Sequence, residues 1–251
     1  MEVKMIAHTD AGESVCGVAS KNCVSETMPE LGDDDLLKSM KGAIASGHES
    51  VLEHWSATFA VSGVSRALTH QLVRHRIASY SQQSQRYVNM EGFDYVVPES
   101  IMNSTKKVSY RMEPDMFESM EWVKETPREA YEYIMRDIAD LYRELLNAGI
   151  PEEDARYILP NACTTNIIVS MNARQLRHFF ALRCCNRAQW EIRELANKML
   201  EECIKVAPNI FSDAGPSCVQ RGYCVEGKKS CGLRPTMKEL LSSYEESHGR
   251  D

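Results

Sequence analysis

The sequence predicts an α+β fold class, a mixed sheet with flanking helices. The length of 251 residues, with 43% hydrophobic and 26% charged residues, is sufficient for one sizeable domain with its own core. Segments with strand periodicity and segments with helical periodicity both occur along the chain. The two kinds are mixed and do not alternate strictly, which favours the α+β class.

The first fifty residues predict one edge strand and two helices. Residues 3–8 alternate weakly and predict the strand, and residues 13–24 predict a short helix. Residues 33–46 predict a clearer helix, because Asp33 can cap its N-terminus and Gly47 can end it. The expected apolar face of this helix consists of Leu36, Leu37, Met40 and Ile44.

The next segment predicts a strand, a helix, a loop and a further strand. Residues 55–64 alternate apolar and small polar side chains, as a strand does. Ser65 can cap the helix, which ends in the triplet Arg74, His75 and Arg76. A loop over residues 78–86 follows, and residues 93–97 predict a strand that Pro98 ends. The expected apolar face of the helix consists of Ala67, Leu68, Leu72 and Val73.

The second half predicts three longer helices, one short helix and one strand after a polar stretch, residues 99–125, that is interpreted as an insertion. Thr126, Pro127 and Glu129 form a helix start, and Gly149 ends that helix. A short helix carries Arg156, and residues 163–171 predict a strand buried on both faces. Asn172 caps a helix to about Leu182, and residues 187–206 predict a long amphipathic helix. The helix after Thr126 is expected to face the core with Tyr131, Ile134, Ile138, Leu141 and Leu145.

Composition divides the chain at residue 212, into a single catalytic domain (1–212) and a cysteine-containing extension (213–251). Cys218, Cys224 and Cys231 are spaced by six and seven residues, which does not match a zinc knuckle. A loosely packed extension without metal is therefore expected. Nine cysteines without a signal peptide, and no apolar run of 18 residues, predict a reduced cytoplasmic protein without membrane contact.

Two long windows of the sequence contain arginine and no acidic residue. They cover residues 54–90 and 155–190, and neither contains a lysine. Arginine alone favours planar, bidentate recognition of a phosphate or a polarised ring. The alternative is that these side chains cap carbonyls at helix ends. The net charge of −7 argues against nucleic acid as the main partner.

Residues 74–87 form the centre of the first window and predict a surface that holds an anion, with no side chain in a packed core. The chain lacks G-x-G-x-x-G and G-x-x-x-x-G-K-[ST], so side chains and helix ends must hold any nucleotide. Three alternatives stay open from these residues. They are a hydrolase of phosphate esters, an RNA-binding module, and a nucleophilic thiol at Cys184 or Cys185 with a pKa lowered by neighbouring arginines.

The triplet Arg74-His75-Arg76, seven further residues and Ser84 resemble the R-H-R-x7-S signature of the flavin-dependent thymidylate synthases. Other segments resemble that family in the same order, from about residue 40 to 212. They are Gly47-His48-Glu49-Ser50 with Glu53-His54, then Ala155-Arg156 with Ile158-Leu159-Pro160, then Asn172-Ala173-Arg174 through Arg183 and Ala188-Gln189-Trp190-Glu191-Ile192.

The resemblance implies a homotetramer of the family's α+β fold, with active sites shared between subunits. It implies conversion of dUMP to dTMP, with 5,10-methylenetetrahydrofolate as the one-carbon donor and NADPH-reduced FAD as the hydride source. Arg183 would be the catalytic residue, acting on the uracil edge. The residues implied for dUMP are Gln71, Leu72, Val73, Arg74, Gln82, Gln83, Ser84, Gln85, Arg86, Arg156 and Arg183. Those implied for FAD are His48, Ser50, Arg74, His75, Arg76, Gln82, Asn172, Ala173, Arg174 and His178.

Three residues depart from the family's pattern. Gln82 stands where many members have Glu, His178 where an Asn is familiar, and Arg187 where a His is familiar. These departures concern contacts to cofactor and substrate, and they leave the implied reaction unchanged.

Overall fold

The computed structural model describes residues 1–112 and 121–248, which form a mixture of helices and small sheets. The predicted α+β class is confirmed. A four-stranded sheet has the order β1-β2-β6-β3, and β4 pairs with β5 in a separate hairpin. The first two strands are antiparallel, with Val3 opposite Val61. The strands are β1 (Glu2–His8), β2 (Ser56–Ser65), β3 (Ser79–Gln82), β4 (Val108–Met112), β5 (Glu121–Glu125) and β6 (Thr164–Asn172).

Eleven α-helices and three short 3₁₀ helices lie in the described ranges. The 3₁₀ helices are Glu49–His54, Arg156–Ile158 and Gly227–Lys229. The α-helices are α1 (Gly12–Asn22), α2 (Leu36–Ala45), α3 (Arg66–Leu72), α4 (Glu99–Met102), α5 (Pro127–Asn147), α6 (Glu152–Ala155), α7 (Ala173–Arg183), α8 (Trp190–Val206), α9 (Pro208–Phe211), α10 (Ser217–Arg221) and α11 (Met237–His248).

The chain divides into two compact units. The first unit contains Met1–Ser62, His70–Ser81 and Ile167–Asp251, and the second contains Gly63–Thr69 and Gln82–Asn166. Aromatic residues form the centre of the first unit's core, where the rings of Trp55 and Phe211 lie 5.1 Å apart. In the second unit, Met90, Phe93, Met135, Tyr142, Ala155 and Cys163 form one buried cluster.

Local capping chemistry sets several helix ends as the sequence predicts. The Thr126 hydroxyl accepts from the Glu129 N–H and the Glu129 carboxylate accepts from the Thr126 N–H, a complete capping box. The Asn172 side chain accepts from the Gln175 N–H at the start of α7. The Ser65 hydroxyl accepts from the Leu68 N–H. These three helix starts depend on residues within one turn, so the sequence is sufficient to find them.

The helix start at Asp33 was wrong, because α2 begins at Leu36. Asp33 instead accepts from the Glu30 N–H and pairs with Lys21. The residue before α2, Asp35, has a left-handed backbone with φ of 67° and makes no side-chain cap. The long C-terminal helix α8 likewise begins later than predicted, at Trp190, where Gln189 supplies the cap.

Two predictions about residues 78–97 were also wrong. The predicted loop 78–86 contains β3, which pairs with β6. The predicted strand 93–97 makes only one isolated bridge, between Tyr95 and Cys163. The stretch after Pro98, which the sequence left unassigned, contains α4 and the β4–β5 hairpin, and part of it lies outside the described residues.

Several side chains assigned to the core are exposed. Ala67 on α3, Val73 directly after that helix, and Ile134 and Leu141 on α5 lie at the surface. Leu37 is exposed on α2. In β6, Ile168 is exposed between buried Ile167 and Val169, so this strand buries one face and not two.

The C-terminal extension contributes an ionic contact to the first unit. Arg177 on α7 is 6% exposed, and its guanidinium donates to both carboxylate oxygens of Asp213 and to the Ile210 carbonyl. That pairing keeps the pKa of Asp213 below its usual value. The predicted domain boundary at residue 212 stays a prediction.

The cysteines, the possible metal ligands and the apolar character of the helices can each be surveyed over the described residues. All nine cysteines are free, and the described ranges contain no cluster of three or more metal-binding side chains able to hold an ion. In those same ranges, no helix combines the length and apolar character needed to cross a membrane.

Candidate active site

His75 lies where the chain leaves α3, and it is buried to 6% exposure. This corrects the expectation that residues 74–87 contribute no side chain to a packed core. The His75 N–H donates to the Leu72 carbonyl and so continues the helix end. The Tyr80 hydroxyl lies 2.8 Å from the carbonyl oxygens of both Leu72 and His75. Burial raises the pKa of Tyr80 to about 12, so it remains a hydroxyl that can donate here.

One stripe of α7 surrounds the His75 ring. Gln175, Phe179 and Arg183 are spaced by four residues, which places them on one face of a helix. The Arg183 Nε donates to His75 Nε2 at 3.1 Å. The Phe179 ring lies edge-on at 4.9 Å, and the amide nitrogen Nε2 of Gln175 lies 3.5 Å from His75 Nδ1. The central histidine of the R-H-R triplet is therefore linked directly to the predicted catalytic arginine.

The His75 imidazole is neutral at physiological pH. Burial, followed by the cationic Arg183 and by His178, lowers its pKa from 6.5 to about 4. A neutral imidazole has one nitrogen lone pair, and Arg183 donates to it. Burial also lowers the pKa of Arg183, although a guanidinium keeps its proton in any ordinary solution. The pair is thus a cation held by a neutral base, without charge neutralisation.

Gln82 occupies a polar pocket of the second unit. Its Nε2 donates to the hydroxyl oxygens of Thr69 at 3.1 Å and Thr165 at 3.3 Å, and both threonines are buried. The Thr69 hydroxyl uses its own proton to donate to the Arg66 carbonyl. It therefore offers only lone pairs to residue 82, which suit an amide N–H₂ and oppose a carboxylate. This environment therefore favours the amide of Gln82 over a carboxylate at the same position.

Residues 83–86 form a tightly bonded polar segment in the same unit. The Ser84 hydroxyl accepts from the Arg86 N–H, and Arg66 donates to the Gln83 carbonyl and to Gln85 Oε1. Arg86 pairs with Glu153 at 2.7 Å, with both side chains about half exposed at 49%. Arg156 donates from Nε to the carbonyl of that same Glu153. Two of the arginines implied for dUMP therefore contact the same acidic residue of α6.

The residues predicted for FAD lie in the first unit, except Gln82. His48 and Ser50 line a cavity of about 440 Å³ between α1, α2 and the 3₁₀ helix Glu49–His54. Arg174 pairs with Glu53 at 2.6 Å, and His178 lies with its ring 6.2 Å from that of His75. Asn172 and Ala173 are engaged at the start of α7, where the Ala173 N–H donates to the Trp55 carbonyl.

The remaining predicted residues stand near the end of α3. Gln71 is half-buried, Leu72 is buried, and Val73, Arg74 and Arg76 are exposed. Within the described ranges, neither Arg74 nor Arg76 forms an ion pair with a carboxylate. Two exposed guanidinium groups beside a buried neutral histidine form a surface suited to an anionic ligand.

A family model, thymidylate synthase complementing protein, matches residues 4–209. A flavin-dependent thymidylate synthase of Geobacter sulfurreducens is 45% identical over 248 residues, covering 96% of this chain and 98% of the relative. One of Clostridium tetani is 46% identical over 254 residues, covering 96% of each. One of Pyrococcus furiosus is 45% identical over 210 residues, covering 80% of this chain and 78% of the relative.

The chain belongs to the flavin-dependent thymidylate synthase family. The donor chemistry of its first unit fits the flavin nucleotide that this family name implies. The exposed Arg74 and Arg76 suit a diphosphate, while His48 and Ser50 add polar groups to the wall of a cavity. Arg174 fits less directly, because Glu53 already pairs with it and a ligand anion must compete with that carboxylate.

The surroundings of Cys184 and Cys185 test whether either thiol is activated. Burial raises the pKa of Cys184 to about 12, so the arginines that flank it in sequence do not activate the thiol. The expectation that neighbouring arginines lower the pKa of the Cys184 thiol is therefore wrong. Cys185 lies half-buried, and its sulfur accepts from the Arg187 N–H.

Among the contributing residues, those missed from the sequence include Gln175, Tyr80, Thr69, Thr165 and Glu153. Gln175 carried a usable signal, since it lies four and eight residues before Phe179 and Arg183 on one helix. Thr69 and Thr165 meet the same amide although 96 residues separate them, and no local pattern indicates this. Glu153 lies just outside the second acid-free window and pairs with Arg86. Acidic residues at the edge of such a window are therefore candidate partners for its arginines.

Proposed function

We propose that this protein catalyses the reductive methylation of dUMP to dTMP. 5,10-Methylenetetrahydrofolate would be the one-carbon donor, and NADPH-reduced FAD the hydride source. The observation that carries the proposal is the pair of Arg183 and His75, a guanidinium hydrogen-bonded to a neutral imidazole at 3.1 Å. In the described ranges, no carboxylate forms an ion pair with Arg183.

The positive charge of Arg183 is the chemical contribution of this pair. Uracil becomes nucleophilic at C5 when its N3 is deprotonated and negative charge spreads over the ring. A guanidinium at the ring edge stabilises that charge, and a partner without charge leaves its field undiminished. Arg86 and Arg156 suit the 5′-phosphate of dUMP, where bidentate hydrogen bonds give orientation. Bound FAD would supply the redox chemistry, and the protein orients the reactants.

Assembly is part of the proposal. The residues expected for dUMP divide between the two compact units, with Gln71 to Arg74 and Arg183 in the first and residues 82–86 and Arg156 in the second. We propose a homotetramer in which subunits share active sites. Sedimentation of the purified protein tests the assembly: a mass near four times 28.4 kDa supports it, and a monomer contradicts it.

The visible spectrum of the purified protein tests the function most simply. We expect a yellow protein with flavin bands that NADPH bleaches and air restores. We also expect the protein to form dTMP from dUMP and methylenetetrahydrofolate. A colourless protein that takes up no added FAD would contradict the proposal. Methyl transfer that proceeds without any flavin would contradict it equally.

A further inference from the structure

Gln175 is the third residue of a short polar chain that runs through His75 to Arg183. Its side-chain amide nitrogen Nε2 lies 3.5 Å from His75 Nδ1, while Arg183 Nε lies 3.1 Å from His75 Nε2. Gln175 is 7% exposed and is one of the few buried polar residues of the described chain. Burying an amide costs free energy unless the amide is hydrogen-bonded. The histidine nitrogen is therefore expected to be a hydrogen-bond partner of Gln175.

The proton positions along this chain follow from the donors. Arg183 Nε–H can only donate, so His75 Nε2 must carry the lone pair. A neutral imidazole then carries its proton on Nδ1, the nitrogen that faces Gln175. That N–H needs an acceptor, which the amide supplies when it is turned over so that Oε1 takes the place of Nε2 beside Nδ1. The two ends of a glutamine amide have nearly the same shape, so this orientation fits the same space.

We propose that Gln175 is a positioning residue: it selects the Nδ1–H tautomer of His75 and thereby orients the guanidinium of Arg183. The inference rests on the proposed function for its catalytic meaning, since it assigns Arg183 a substrate. Its structural content, the tautomer of His75, stands independently of any substrate. Gln175 acts through His75 and contacts neither reactant.

An amide is the suitable partner here because it carries no charge. The charged and titratable groups that face His75 are Arg183 and His178, and its chain neighbours Arg74 and Arg76 are exposed. A carboxylate at position 175 would favour the imidazolium, which has no lone pair left for Arg183. The hydrogen bond to Arg183 would be replaced by repulsion between two cations. An aliphatic side chain would leave Nδ1–H without an acceptor and favour the other tautomer.

Imidazole ¹⁵N chemical shifts of ¹⁵N-histidine-labelled full-length protein test the tautomer without any turnover. In the wild-type protein we expect the Nδ1–H tautomer for His75, with protonation only near pH 4. In Gln175→Glu the protonation midpoint of His75 should rise by at least one pH unit. In Gln175→Leu the Nε2–H form should appear. Asn147→Asp adds the same carboxylate at the exposed end of α5 and should leave the His75 signals unchanged.

Steady-state kinetics provide the second readout. Gln175→Glu should lower kcat about 10-fold or more at pH 7, with partial recovery as the pH rises and His75 loses its proton. An Nε2–H tautomer in the wild-type protein, or unchanged His75 signals in Gln175→Leu, would overturn the inference. If the tautomers behave as expected while no variant forms dTMP, the proposed function fails and the positioning role of Gln175 stands.

Discussion

Two regions of this protein hold arginines in opposite electrostatic settings. Around His75, in the first unit, Arg183 donates to a buried neutral imidazole. In the second unit, Arg86 pairs with the Glu153 carboxylate, and the two side chains share similar exposure. The guanidinium charge of Arg183 is thus not neutralised by its partner, whereas that of Arg86 is neutralised by a carboxylate that a ligand can replace.

The difference indicates what each arginine can do. A guanidinium held by a neutral partner keeps its full field for a developing negative charge. One held by an exposed carboxylate can exchange that partner for a phosphate at little cost, since exposed pairs contribute little stability. The arginine-rich windows therefore combine two expected roles, the stabilisation of negative charge and the exchange of a carboxylate for a ligand. Substitutions in each region, and a change of pH, can separate them.

The largest expected effect comes from Arg183. Arg183→Ala should lower kcat for dTMP formation by about 100- to 1,000-fold or more, because it removes the cation at the uracil edge. FAD should remain bound, as measured by the flavin spectrum of the purified variant. Arg183→Lys should also be poor, since a point charge does not replace a planar fork. Normal turnover in the alanine variant would refute the activating role.

The neutral state of His75 should be visible in the pH dependence of stability. Its pKa is about 4 when folded and 6.5 as the ordinary value, so the unfolded chain binds this proton first as the pH falls. Stability is therefore unaffected above about pH 6.5 and declines towards pH 4, by up to about 3 kcal/mol. Urea unfolding at pH 7, 6 and 5 measures this. His75→Gln should show a weaker decline, and an identical decline would argue against a buried neutral His75.

Gln82→Glu tests the second region's amide-specific pocket. The carboxylate would face the lone pairs of the Thr69 hydroxyl, so we expect a loss of about 1–3 kcal/mol in the free energy of unfolding. Chemical denaturation measures the loss. Gln83→Glu is the matched control, and its stability should change little. A Gln82→Glu protein as stable as the wild type would show that the threonine hydroxyls reorient freely.

The smallest expected effect is at Glu153. Glu153→Ala removes an exposed ion pair, so unfolding free energy should change by less than about 1 kcal/mol. The KM for dUMP should fall or stay level, because Arg86 loses a competing carboxylate, while kcat stays nearly constant. Arg86→Ala should instead raise KM. A rise in KM in both variants would mean that Glu153 positions Arg86 for the ligand.

Much of the fold could be predicted because its signals are local. The capping box at Thr126 and the cap at Asn172 each depend on residues within one turn. The edge strand β1 and the strand β2 follow from alternation. Burial was harder to predict where flanking residues misled: His75 lies between two exposed arginines, and Val73 is exposed although it is apolar.

The pairings within the candidate site were not predictable from the sequence. The resemblance implies roles for Arg183 and His75, which stay predictions, yet nothing in the sequence joins two residues 108 positions apart. The acceptors of Gln82 and the acidic partner of Arg86 are likewise brought together only by tertiary structure. The preference for an amide at position 82 likewise follows only from the structure, in which the Thr69 hydroxyl donates its proton to the Arg66 carbonyl.

The ion pair between Arg177 and Asp213 sets a limit on how this protein can be shortened. The family match ends at residue 209, so trimming there, or at residue 212, looks harmless in sequence. Yet Arg177 lies on α7, the helix that also carries Gln175 and Arg183, and its buried guanidinium would lose its only carboxylate partner in the described ranges. Asp213 is thus bound to the helix that also carries Arg183, and an expression fragment should retain Asp213.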